Sequence, residues 1–292
     1  MSTHAAVDGI RFVKGHGTQN DFILLPDRDG ALKLTTSRVQ ALCDRHRGLG
    51  ADGVVRVAPT AASPEVDAQA QLAPWFMDYR NADGSKAEMC GNGARVLARF
   101  LRDEGWVSSD EFAIATRGGT RQVWIDGELT SVEMGVAQPI TPDEQLAVSV
   151  DRRTWPAIGV RLPNPHAVVF VDSLDDAGSL ANAPTVKPGE TFPEGVNVEF
   201  VRVTDSQHVA LRVFERGVGE TRSCGTGACA AVWAHRQRGS AADLPAGVPT
   251  KVDVPGGQLL VHQLPDGRWV LAGPTEMVAA GVMSDRWWKD QA

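Results

Sequence analysis

Cys90-Gly91-Asn92-Gly93-Ala94 and, 134 residues later, Cys224-Gly225-Thr226-Gly227-Ala228 are one pattern written twice. Each opens a helical run. Over 91–103, Val96, Leu97, Phe100 and Leu101 form an apolar stripe, and Gly105 supplies the stop. Over 225–238 the chain is apolar from Ala228 to Ala234, basic at its end and stopped by Gly239. A helix apolar nearly all round is buried, so the second run predicts the core of a sheet-wrapped domain. A pattern recurring once, at two helix starts, predicts two similar domains.

Outward from these helices the chain reads as short strands between turn signals. They fall over 22–25, 53–57, 76–79, 112–116, 122–125 and 131–134, then over 167–171, 198–204, 209–214, 257–262 and 269–272. A further helix is expected over 37–46, with Val39, Leu42 and Cys43 on one stripe. The expected fold class is α/β of the α+β kind: two pseudo-symmetric domains, each a largely antiparallel β-sheet wrapped round a central helix. The first is placed at 1–136 with a C-terminal return segment 274–292, the second at 137–273, and the Pro- and turn-rich stretch 135–143 reads as the connection.

The length of 292 residues fits two domains at roughly 150 residues each. A net charge of −7 argues against a nucleic-acid groove or an anionic membrane surface as partner, and 42% hydrophobic residues excludes a largely disordered chain. No apolar run approaches the roughly 18 residues of a membrane span, and residues 1–9 carry no secretory h-region. The expectation is a soluble, cytoplasmic protein.

Four cysteines, Cys43, Cys90, Cys224 and Cys229, are too few for a disulfide scaffold, and none forms a C-x-x-C pair. Cys43 and Cys229 read as buried thiols that pack. Gly48-Leu49-Gly50-Ala51-Asp52-Gly53 matches the dinucleotide fingerprint in letters. Its helix precedes and its strand follows, the reverse of what places a pyrophosphate at a helix N-terminus. No metal and no cofactor is therefore expected.

A cysteine at a helix N-cap faces unpaired amides and the positive end of the dipole, a setting that stabilises thiolate. The following Gly-x-Gly lets a ligand approach those amides. Two equivalent thiols on two similar helices suggest that one takes a proton from a carbon and the other returns one to the opposite face. That is two-base racemisation or epimerisation without a cofactor. The substrate is expected in the cleft between the domains.

The residues around these thiols resemble a known family. Asn81-Ala82-Asp83-Gly84-Ser85 with Glu88-Met89-Cys90-Gly91-Asn92-Gly93-Ala94-Arg95 is similar to the first active-site signature of the diaminopimelate epimerases. Glu215-Arg216-Gly217-Val218-Gly219-Glu220-Thr221 with Ser223-Cys224-Gly225-Thr226-Gly227-Ala228 resembles their second. Lys14-Gly15-His16-Gly17, Asn20-Asp21-Phe22, the 45–53 stretch, Asn164-Pro165-His166 and Gly195-Val196-Asn197 follow in the family's order. Two departures stand out. Gly17-Thr18-Gln19-Asn20 departs from the commoner Gly-x-Gly-Asn form, and Gly53 stands where some members carry Gln.

The resemblance implies an isomerase, independent of pyridoxal phosphate, that interconverts LL- and meso-diaminopimelate in lysine and peptidoglycan precursor biosynthesis. It implies Cys90 and Cys224 as the acid/base pair, with His166 and Glu215 tuning their protonation. Asn20, Asn81, Asn164, Asn197, Glu215 and Arg216 would hold the substrate's amino and carboxylate groups. Gly91, Asn92, Gly225 and Thr226 would bind the reacting carboxylate through helix N-terminal amides. A homodimer is the implied assembly. The alternative is an amino-acid racemase of the same fold, of the proline racemase or hydroxyproline epimerase type, whose first signature usually has His where Asn92 stands. Trp287-Trp288 is either an interface or a docked tail.

Overall fold

The computed structural model describes residues 9–142 and 144–291. Residues 1–8, within the stretch read for a secretory segment, and Asp143, at the end of the 135–143 stretch, lie outside the described residues. The chain forms two compact units, Met1–Thr130 with Pro274–Ala292, and Ser131–Gly273. Among the described residues no helix is long and apolar enough to cross a membrane.

The first unit opens on four adjacent strands, β1 (Gly9–Gly17), β2 (Asn20–Pro26), β3 (Gly53–Pro59) and β4 (Trp75–Asn81). β2 and β3 run parallel, and the other neighbours antiparallel. Thr18 and Gln19, both at positive φ (49° and 62°), make the two-residue hairpin between β1 and β2, with Gly17 paired to Asn20. This loop is no longer than the Gly-x-Gly-Asn form: both are four residues, and the departure is Gln19, which stands where that form has glycine and takes the positive φ. Gly53 pairs with Asn81, and a Cβ there would stand 2.6 Å from both the Arg80 carbonyl oxygen and the Tyr79 ring. No glutamine fits at that position without moving the backbone.

Between β2 and β3 lies α1 (Thr36–Cys43), capped by Thr35 and burying Val39, Leu42 and Cys43. The central helix α2 (Gly91–Asp103) is buried from Gly91 to Ala98 and again at Phe100 and Leu101. It ends at Gly105, which takes φ +67° while the Trp106 N–H returns to the Leu101 carbonyl. β5 (Glu111–Ile114) and β6 (Arg121–Asp126) form an antiparallel hairpin. A charged cluster lies on β3 and β4. Asp78, 1% exposed, accepts from Arg56 Nε at 3.1 Å, from Arg80 Nε at 2.9 Å and from Arg117.

The second unit holds β7 (Leu129–Val136), β8 (Gln138–Ile140), β9 (Ala147–Val150), β10 (Arg153–Arg161), β11 (Pro165–Phe170) and β12 (Thr185–Lys187). There follow β13 (Asn197–Asp205), β14 (His208–Glu215), β15 (Gly219–Thr221), the central helix α3 (Gly225–His235), β16 (Thr250–Val254), β17 (Gly257–Gln263) and β18 (Arg268–Pro274). Strand order is β12-β9-β10-β11-β13-β14-β16-β17-β18-β7, and from β12 to β18 the neighbours are antiparallel except for β11 with β13 and β14 with β16. α3 packs on β10, β11, β13, β14, β16 and β17. It is buried along nearly its whole length, as an all-round apolar helix must be. It stops at His235, three residues before the expected 238, and 236–238 turn into Gly239 at φ +54°. The stretch 135–143 carries the end of β7 and then β8, which pairs with β10.

The last segment returns to the first unit. β19 (Glu276–Ser284) pairs antiparallel with β1 and completes a five-stranded sheet in the order β19-β1-β2-β3-β4. α4 (Asp285–Asp290) docks Trp288 beside α1, with the Arg38 guanidinium 4.6 Å above its ring. The Trp pair therefore belongs to a docked tail. The whole is a mixed α/β chain of two sheet-rich units with few helices, the class expected from the sequence.

Candidate active site

The repeated pentapeptide builds the same cap in both units. Cys90 is the N-cap of α2, and its sulfur accepts from the Gly93 N–H at 3.5 Å. Cys224 is the N-cap of α3, and its sulfur accepts from the Gly227 N–H at 3.4 Å. The second glycine of each motif proves to serve packing. A Cβ on Gly93 would stand 2.8 Å from Met77 Cε, and one on Gly227 would stand 2.8 Å from Glu199 Oε1 and 3.3 Å from Cys224 Sγ. We expect Gly227→Ala to keep the fold, because alanine favours a helix interior by up to about 1 kcal/mol. It should nevertheless slow catalysis about tenfold or more by displacing the Glu199 carboxylate. Steady-state rates beside a thermal melt would check this, and unimpaired turnover would contradict it.

In the first unit Asn20 begins β2 and Asn81 ends β4. Asn20 Oδ1 lies 3.8 Å from Cys90 Sγ and accepts from Asn92 Nδ2 at 3.2 Å. Asn81 Nδ2 donates to Ser85 Oγ at 3.0 Å. In the second unit His166 and Asn197 are register partners on β11 and β13. His166, fully buried, meets Glu199 Oε1 at 2.7 Å through Nδ1 and Asn164 Oδ1 at 2.9 Å through Nε2. Asn197 Oδ1 accepts from the Arg216 N–H at 2.8 Å, while its buried Nδ2 has no hydrogen-bond partner among the described residues. Such a donor suits a ligand oxygen. Arg216 reaches the Glu194 carbonyl at 3.3 Å, and Thr226 Oγ1 lies 3.4 Å from Cys224 Sγ.

Glu215 ends β14 and is bonded by Thr221 and Cys224. Burial raises its pKa, and the neighbouring Glu199 adds to that, against the bonds from Thr221 and Cys224. Burial also pushes the Cys224 thiol well up, and the charges of Glu215 and Glu199 push it further. At Cys224 burial and the two carboxylates thus act against the helix terminus. Cys43 is raised to about 12, chiefly by burial, and is inert packing as expected; Cys229 is fully buried. All four cysteines are thiols, not disulfides.

Glu199 is the site residue that the sequence reading missed. It is fully buried between Val198 and Phe200, and its Oε2 has no hydrogen-bond partner among the described residues. A lone acid inside the apolar run Val198-Glu199-Phe200-Val201 was the available signal. Among the described residues no group of three or more His, Cys, Asp or Glu is placed to hold a metal ion.

The fold is shared with solved proteins of the PhzF and proline racemase type. A phenazine biosynthesis protein of the PhzF family from Bacillus anthracis superposes with a TM-score of 0.69 at 16% identity, covering 94% of this chain and 99% of that one. A hydroxyproline epimerase from Agrobacterium vitis gives 0.65 at 14% identity, covering 94% and 90%. Such identities speak for the fold alone. The sequence is more specific, since residues 12–140 and 160–278 match the diaminopimelate epimerase family. The diaminopimelate epimerase of Streptomyces coelicolor is 49% identical over 95% of this chain and 96% of its own length. That of Mycobacterium tuberculosis is 45% identical over 95% and 98%. The chain belongs to the diaminopimelate epimerase family.

Proposed function

We propose that this chain is a cofactor-independent isomerase that interconverts LL- and meso-diaminopimelate, a step toward lysine and peptidoglycan precursors. The observation that carries the reading is the duplicated cap, which gives each unit one thiol at the amide-rich start of a buried helix. In this mechanism one cysteine, as thiolate, takes the α-proton, and the other, as thiol, delivers its proton to the opposite face. The protonation states of the two cysteines are exchanged by each turnover. Charge developing on the α-carbon spreads into the α-carboxylate, which the amides of Gly91, Asn92, Gly225 and Thr226 stabilise. A thiolate is too weak a base for this proton in water, so the site must exclude water while it works.

Glu215, bonded to Cys224 and itself raised by burial, is suited to exchange a proton with that sulfur. His166 stands behind it, held by Glu199 and Asn164. Asn20, Asn81, Asn164, Asn197, Glu215 and Arg216 hold the two amino-acid ends, asparagine offering both donors and an acceptor and arginine a bidentate grip on carboxylate. Both cysteines must stay reduced, which supports a reducing compartment such as the cytoplasm. The assembly implied by the resemblance is a homodimer, and the partner the reading requires is the small-molecule substrate.

The test is to incubate reduced protein with LL- or meso-diaminopimelate in deuterated water, following α-deuterium uptake and isomer ratio. Conversion with deuterium at the new centre is expected. Exchange with proline but not with diaminopimelate would replace this reading by the proline racemase or hydroxyproline epimerase type.

A further inference from the structure

Cys90 lies beside a chain of side chains with a charge at each end. At one end is Arg95 on α2, fully buried, whose guanidinium can only donate; its Nη1 donates to Asn92 Oδ1 at 2.8 Å. At the other end is the Asp52 carboxylate, paired with Arg45 at 2.8 Å, which accepts from Asn20 Nδ2 at 2.8 Å. An amide offers opposite polarity at its two ends. With Asn92 Oδ1 taken by Arg95, its Nδ2 is left to donate, and it does so to Asn20 Oδ1 at 3.2 Å. With Asn20 Nδ2 taken by Asp52, its Oδ1 is left to accept. The two ends impose the same order of donors and acceptors, from Arg95 through Asn92 and Asn20 to Asp52. Cys90 Sγ lies 3.8 Å from that same Asn20 oxygen.

We propose that Arg95 and Asp52 are positioning residues that lock the Asn20 amide with its carbonyl oxygen toward Cys90, so that Cys90 waits as the proton-bearing thiol. An amide oxygen accepts an S–H and repels a thiolate, whereas an amide NH2 would do the reverse. The inference rests on the epimerase reading only in giving Cys90 a proton to transfer. Other charged groups at this end of the unit include Lys14, His16 and Asp21 on the β1–β2 hairpin, Arg45 before β3, and Asp83, Lys86 and Glu88 on the segment leading into Cys90. Lys14 and Arg45 both pair with Asp21, and His16 lies 3.4 Å from Glu276. Asp21 is held near 2, its burial outweighed by hydrogen bonds from Arg45 and Lys14, so it stays ionised throughout the range in which a thiol titrates. The rest are common to every variant below; the negative charge lost at Asp52 and the positive charge lost at Arg95 act on the sulfur in opposite senses and offset in the double variant, so its shift reports the lock.

The experiment is the pH dependence of Cys90 alkylation by iodoacetamide in the full chain, scored on its own peptide by mass. Asp52→Asn can accept or donate, Arg95→Met keeps bulk without donors, and Arg95→Lys keeps a donor. The Asp52→Asn/Arg95→Met double variant lets Asn20 turn its NH2 to the sulfur. Its alkylation midpoint should fall by about one pH unit, about a tenfold faster reaction below the wild-type midpoint. Each single variant retains one lock and should move less, by roughly two- to threefold in rate, while Arg95→Lys should follow wild type. A folded double variant with the wild-type midpoint would overturn the proposal. If Arg95→Met does not fold, the part-exposed Asp52→Asn decides alone, and an unmoved midpoint there would overturn it equally. Because alkylation needs no turnover, a wild-type protein that fails to epimerise would sink the functional reading and leave the lock to be judged separately.

Discussion

Cys90→Ala and Cys224→Ala, made one at a time, are each expected to lower epimerisation by at least about a thousandfold while the protein remains folded. A positioned acid or base contributes on the order of 10² to 10⁴ in rate. In a two-base reaction neither thiol can stand in for the other, because each serves one face of the carbon. The structural cost is small by comparison. Each sulfur accepts one helix N–H, at 3.5 Å and 3.4 Å, and losing a cap costs about 1 kcal/mol. Cys43→Ala is the control, since that thiol lines the core beside α1 and belongs to no cap. Isomer conversion and a thermal melt on the same preparations separate the two effects. Normal turnover in either single variant would make the two-base assignment wrong.

Asp78→Ala should destabilise the protein by about 3–5 kcal/mol, the cost of removing one partner from a buried charge cluster. Asp78 accepts from Arg56, Arg80 and Arg117, whose side chains are themselves only 12–13% exposed. Without the carboxylate, three guanidiniums crowd a site with no neutralising charge at its centre. Arg56 and Arg117 keep Asp27 and Glu65, so part of the cluster survives. The melting temperature should fall by about 10 °C. Burial alone would raise the Asp78 pKa, but hydrogen bonds from Arg80 and Arg117 prevail and it is lowered. A carboxyl lowered in the folded state contributes stability that is complete above its unfolded value near 4 and fades as pH falls through the folded value. Wild type should therefore lose stability more steeply than Asp78→Asn below about pH 4. A variant melting within about 2 °C of wild type would contradict the argument.

The central helices were legible because their text carries both signals at once, a cap residue before glycines and an unbroken apolar run behind. β10 was not, since Pro156 and Gly159 break its pattern; tertiary pairing with β9 on one stretch and β8 and β11 on the other makes it a strand all the same. β1 and β19 escaped for another reason. Gly9, Gly15, Gly17 and Gly281 dilute their alternation, and their stability comes from pairing across almost the whole length of the chain. At the site, cysteines, asparagines and Arg216 could be named from local text. Glu199, Asp52 and Arg95 act through partners that only folding brings together. The helix terminus at Cys224 is visible in sequence, whereas the carboxylates of Glu215 and Glu199 that bear on it come from separate strands.

The return of β19 to β1 sets the order in which the chain can mature. Translation delivers the first unit's helix and most of its sheet early, yet the strand that covers β1 emerges only after all of β7 to β18. Until then β1 presents an open, hydrogen-bonding edge to the crowded exit of the ribosome, the kind of edge that invites mispairing. The second unit, contiguous from Ser131 to Gly273, closes within its own stretch when β18 reaches β7. The half made first is thus finished last, and a nascent chain stalled before Glu276 would carry one complete unit and one exposed strand.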